Sequence, residues 1–156
     1  MESIKINIQV VSRYEASIIL TSPKQCSEVS FLISIGAPED DLPAGYSNVT
    51  GRIRLLFGDT ETAEDGASES DIQCLIDLAK ELNGSAATVL IHCEAGVSRS
   101  AAAALILYTC LLGQGSEQEA MDRVLRQRPI ARPNRRMVEL ADNLLGRGGR
   151  LIGVLG

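Results

Sequence analysis

The segment Val89-Leu90-Ile91-His92-Cys93-Glu94-Ala95-Gly96-Val97-Ser98-Arg99-Ser100, with the apolar run Ala101 to Leu112 behind it, decides the fold. Its opening residues are apolar and β-branched, the mark of a core strand fed by Thr88 to Ile91. The alanine- and leucine-rich run after Ser100 reads as a helix that stops at Gly113. Between them lies a short loop with one thiol, one glycine and one guanidinium. A chain that turns at Gly96 and then enters a helix directs several successive N–H groups into one concavity, where no intrahelical partner meets them. An anion placed there is held by those donors and by the positive end of the helix dipole. Arg99 adds a planar fork able to bind two oxygens of a phosphate, which a lysine would not reproduce. Cys93 opens the same loop, so the field that binds the anion also favours its thiolate, the nucleophilic form.

The bland alternative for Cys93 is a packing role, because free cysteine is among the most buried residue types. A cysteine followed six positions later by arginine is also a weak signal. The complete string His92-Cys93-x-Ala95-Gly96-x-Ser98-Arg99-Ser100 between a strand and a helix is far more specific, since a motif gains force from its structural context. At these residues the chain resembles the cysteine-dependent protein tyrosine phosphatase superfamily, in its compact dual-specificity-like branch, and more closely small bacterial phosphatases of that type. The resemblance covers most of the chain and is strongest from Leu55 to Leu151. There Phe57-Gly58-Asp59, the loop, and Ala131-Arg132-Pro133-Asn134 occur in the family's order.

Phosphate ester cleavage needs a nucleophile, a cationic clamp and an acid for the departing oxygen. Cys93 and Arg99 suit the first two roles, with Glu94, Ala95, Gly96, Val97 and Ser98 lining the phosphate. The acidic segment Asp59 to Asp65 offers Asp59, Glu61, Glu64 and Asp65 for the third; the resemblance favours Asp59, with Asp65 as its substitute and a solvated turn as the plain alternative. The resemblance also implies that the Ser100 hydroxyl bonds the cysteine sulfur and helps it leave a phosphocysteine. It implies that His92 orients the loop without taking the substrate proton, and that Asn134 lies near the phosphate loop, although a helix N-cap explains Asn134 equally well. Ser98 is expected to brace the loop.

The expected activity is therefore hydrolysis of phosphate monoesters on phosphotyrosine or phosphoserine/phosphothreonine proteins, or on small phosphate esters. Glu94 and Val97 stand where inositol-lipid phosphatases of this superfamily carry lysines, which favours phosphoprotein. Arg123, Arg126, Arg128, Arg132, Arg135 and Arg136 either face the cleft or form a solvated basic face. The competing reading is a phosphate-binding module with the same fold and little turnover. A sulfur-transferring or arsenate-reducing enzyme is disfavoured by the late position of the loop and by its sequence.

With 156 residues, 45% hydrophobic and 22% charged, the chain has the size for one catalytic domain over 1–156. A net charge of -5 argues against nucleic-acid and membrane-surface binding. The absence of a charged-then-apolar leader at Met1 and of a long apolar run points to a cytoplasmic protein. Cys26, Cys74, Cys93 and Cys110 form no CxxC pair and His92 is the sole histidine, so neither a metal, another cofactor nor a disulfide framework is expected.

The remaining pattern gives an α/β fold, a mixed and mainly parallel sheet flanked by helices, like that of protein tyrosine phosphatases. Ile4, Ile6, Ile8 and Val10 alternate as an edge strand, Tyr14 to Leu20 form a short helix, and Val29 to Ile35 form a buried strand. Glu39-Asp40-Asp41 reads as a solvated loop. Arg52 to Phe57 is a strand, and Ser68-x-x-Asp71 opens a helix running to Asn83-Gly84. Ser116-Glu117-Gln118-Glu119 has the form of a capping box, and Asn134 begins the last helix, ended by Gly146, Gly148 and Gly149.

Overall fold

Four strands pair in the order β1-β4-β2-β3: β1 (Lys5–Ser12), β2 (Phe31–Gly36), β3 (Arg52–Leu56) and β4 (Ala86–Cys93). The computed structural model describes residues 4–156, so Met1 and the expectation about a leader there lie outside the described residues. β1 is an edge strand, as its alternation implies. Every pairing is parallel, so the sheet expected to be mainly parallel is parallel throughout among the described residues. The cause is connectivity, since each link between strands is long enough to carry the chain back over a face of the sheet. α1 (Arg13–Thr21) and α2 (Pro23–Ser27) separate β1 from β2, and α3 (Glu69–Leu82) separates β3 from β4. Ser22, the expected break, caps α2 with its side chain.

The sheet is covered on both sides. Val89, Ile91 and Cys93 join the larger core with α3 and α4 (Arg99–Leu112), whereas Leu90 packs with Val11, Ala16, Leu20, Leu32 and Val49 beneath α1. α4 is buried on every side from Arg99 to Thr109, as a helix apolar all round must be. No helix among the described residues is long and apolar enough to cross a membrane.

Two local expectations fail. At α5 (Glu117–Gln127) the Ser116 side chain makes no capping bond and its backbone is not extended. Glu117 is instead turned inward, accepting from the Gly115 N–H and from Arg147, whose other contacts reach Thr109. A buried ion pair leaves that segment no freedom to form the surface cap. α6 (Arg135–Leu145) is also not the final helix, because α7 (Arg150–Gly153) follows. The Asp142 carboxylate accepts from the N–H groups of Gly149, Leu151 and Ile152, satisfying donors that a short helix cannot pair by itself.

Candidate active site

β4 ends at Cys93 and α4 begins at Arg99, so the loop between them sits at the carboxyl end of a central strand, the ligand-binding end of open α/β sheets. Gly96 turns the loop with φ +69, and a Cβ there would lie 2.5 Å from the Val11 carbonyl carbon. Both the backbone angle and the close approach require glycine.

Every carbonyl from Cys93 to Ser98 is turned outward and bonded. Cys93 O meets His92 Nδ1 at 3.2 Å. Glu94 O accepts from the Arg13 N–H, Val97 O from Arg132 N–H, and Ser98 O from the N–H groups of Ala102 and Asn134. Arg128 donates to Ala95 O through Nη2 and to Gly96 O through Nε. In a trans peptide the N–H points opposite the C=O, so the N–H groups of the loop face the inner concavity. Cys93 lies at its floor, 2% exposed, with Sγ 3.1 Å from Ser100 Oγ.

Arg99 is 6% exposed. Its Nη1 donates to Phe57 O at 2.8 Å and lies 4.0 Å from Asp40 Oδ2. Its Nε is buried with no hydrogen-bond partner among the described residues. An orphaned, buried guanidinium donor costs free energy, and the oxygen of a bound anion would relieve it.

Asp59 and Asn134 come from opposite sides. Asp59 Oδ1 accepts from Ser98 Oγ at 2.7 Å and from Asn134 Nδ2 at 2.9 Å. The Asn134 carbonyl oxygen also caps α6 by accepting the Met137 N–H, so the two readings of Asn134 describe one side chain. The acidic segment folds onto itself through the Gly58 N–H, which donates to Asp65 O. Asp65 is exposed and makes no side-chain hydrogen bond or ion pair among the described residues.

His92 is 1% exposed, and burial lowers its pKa to about 4, leaving it neutral. Glu94 is held below the usual carboxylate range by its hydrogen bond from Arg13 on α1, which draws it to the outer rim. Glu15 pairs with Arg128, whose hydrogen bond lowers it to about 2. Burial pushes the Cys74 thiol up and that of Cys110 up to about 11, which suits inert packing.

Sequence reasoning missed four contributors. Asp40, assigned to a solvated loop, accepts the Ala37 N–H and faces Arg99. Arg128, left open between the cleft and a solvated basic face, is the outer brace of the loop. Ser34 and Arg54 stand beside His92, and a signal was available, because polar residues interrupt the apolar runs of β2 and β3. Of the other arginines, Arg123 and Arg126 pair with Glu119, Arg135 with Glu139, and Arg136 donates to Ala67 O. Arg132 is exposed beside the loop.

No family model and no curated protein sequence matches the chain. Solved structures do. A PTP-2 phosphatase from Cydia pomonella superposes with a TM-score of 0.67 at 23% identity, over 88% of this chain and 84% of its own. Tk-PTP in its active form gives 0.63 at 17%, over 93% and 94%. Human DUSP28 gives 0.61 at 17%, over 90% and 94%. The chain has the fold of the compact tyrosine and dual-specificity phosphatases.

Proposed function

We propose that the chain hydrolyses phosphate monoesters through a phosphocysteine intermediate, with phosphotyrosine or phosphoserine/phosphothreonine proteins as its substrate class. The observation that supports this most directly is the concavity itself, with all loop carbonyls turned outward, a thiol at the floor and an unpaired Arg99 Nε. A tetrahedral dianion satisfies these donors together.

In this reading the Cys93 thiolate attacks phosphorus while the phosphorus bond to the ester oxygen breaks. Arg99 and the loop N–H groups hold the equatorial oxygens, whose charge persists through the transition state. Asp59 carries its proton on Oδ2, because Oδ1 is engaged by Ser98 and Asn134, and passes it to the leaving oxygen. Water then attacks the phosphocysteine, Asp59 takes a proton from that water, and the sulfur leaves as thiolate with the Ser100 hydroxyl hydrogen-bonded to it. Inorganic phosphate and the alcohol are the products.

The fold also serves the competing reading, a phosphate-binding module, but such a module has no need of a thiol bonded to Ser100. Steady-state hydrolysis of an aryl phosphate separates them. The phosphatase reading requires turnover in the wild type and none in Cys93→Ser, with orthovanadate binding retained in that variant. Anion binding without turnover in the wild type supports the module.

A further inference from the structure

Ser34 stands in register with His92 of β4 on one side and with Arg54 of β3 on the other. Laterally paired residues project to the same face of a sheet, so three polar side chains form one row leading to the thiol loop. Ser34 is fully buried. Arg54 Nη1 lies 2.8 Å from Ser34 Oγ, and Ser34 Oγ lies 2.6 Å from His92 Nε2.

The direction of each bond follows from which atoms can donate. A guanidinium only donates, so Ser34 Oγ accepts from Arg54, and its hydroxyl keeps both a proton and a second lone pair for His92. The other ring nitrogen decides between them: Nδ1 faces Cys93 O, which only accepts, so the single proton of the neutral ring resides on Nδ1 and Nε2 accepts from Ser34. Arg54 has a second arm, since its Nη2 donates to Asp40 O, the residue whose carboxylate faces Arg99. The guanidinium fits there because Gly36 lacks a side chain; a Cβ on Gly36 would lie 2.6 Å from Arg54 Nη2.

We infer that Arg54 and Ser34 are positioning residues of the thiol loop. Their relay fixes His92 as the Nδ1–H tautomer and aims that proton at the Cys93 carbonyl, orienting the first peptide of the loop. The other charged groups facing His92 and the loop are Arg13 paired with Glu94, Arg99 with Asp40, Arg128 with Glu15, and Asp59 across the mouth. None of these hydrogen-bonds the imidazole. The inference deepens the phosphatase reading, but its main readout requires no turnover.

Because His92 is the only histidine, its ring nitrogens give one assignable pair of signals in a nitrogen-15 correlation spectrum. The wild type should show a protonated Nδ1 and an unprotonated Nε2 from pH 8 down to pH 6. Ser34→Ala should give a mixture of tautomers and lower kcat on an aryl phosphate more than it changes KM. Arg54→Met should move the tautomers in the same direction, since Ser34 loses the donor that turns its own proton toward Nε2, and should also raise KM by releasing Asp40. Arg54→Lys, which keeps a donor for Ser34, should restore the wild-type tautomer. An Nε2–H ring in the wild type, or an unchanged tautomer in Ser34→Ala, overturns the relay. Absence of turnover in a wild type that shows the Nδ1–H tautomer contradicts the phosphatase reading and leaves the relay standing.

Discussion

Arg99 contributes more than charge. One nitrogen is tied to Phe57 O and one buried nitrogen has no partner among the described residues, so the side chain is held with a donor free for the oxyanion of the proposed reaction. Arg99→Lys retains the charge but loses the fork. Charge-assisted hydrogen bonds contribute about 1.5–3 kcal/mol each, so we expect kcat/KM on an aryl phosphate to fall roughly 10- to 100-fold or more. Kinetics within twofold of wild type in that variant would show that Arg99 does not clamp the phosphate. Asp59 belongs to the same scale. General acids contribute on the order of 10²–10⁴-fold, most when the leaving oxygen is basic. Asp59→Asn should therefore slow phenyl phosphate strongly and esters of acidic phenols much less, while Asp65→Asn leaves both unchanged. A leaving-group dependence that follows Asp65 instead would move the acid to the other end of the loop. The motif residues were legible in the sequence because they are contiguous. Ser34 and Arg54 left only a polar residue in a strand as their signal, whose meaning arises when separate strands align, and Asp40 lies in a loop that meets Arg99 only in the folded chain.

The elements around the thiol loop turn its carbonyls away from the concavity proposed to hold the anion. α1 supplies the Arg13 N–H, the connector before α6 supplies Arg128 and the Arg132 N–H, and α6 is entered through Asn134. Arg128→Ala removes the partners of Ala95 O and Gly96 O together. Orthovanadate should bind about tenfold more weakly, a change of about 1.4 kcal/mol, with secondary structure retained by circular dichroism; unchanged affinity would show that the loop holds its shape unaided. β4, the loop and α4 were readable from periodicity because one pattern governs all three. The capping box at Ser116 looked equally firm, yet Glu117 found a buried partner in Arg147 thirty residues away. Local pattern lost there to a tertiary ion pair. α7 escaped notice because its acceptors come from Asp142 in the preceding helix.

For the whole molecule, the buried row beneath the loop links stability to pH. The folded value for His92, about 4, lies below the ~6.5 of an unfolded chain. The unfolded chain therefore takes up a proton that the folded one refuses. The resulting stability is fully present above pH 6.5 and is lost as pH falls toward 4. By pH 5 the loss should be about 2 kcal/mol, a window in which ordinary carboxylates are still largely ionised. Urea unfolding at pH 7.5 and pH 5 measures it, and equal stability at the two values would mean that His92 is not buried neutral. The proposed mechanism rests on one claim, that Cys93 bonds covalently to phosphorus. Its most direct test is rapid acid quench of the wild type during turnover of an aryl phosphate in the presence of chelator, followed by mass spectrometry of the Cys93 peptide. A phosphoryl adduct on Cys93 is expected, accumulating further in Ser100→Ala and absent from Cys93→Ser; hydrolysis that persists in Cys93→Ser would contradict the phosphocysteine mechanism.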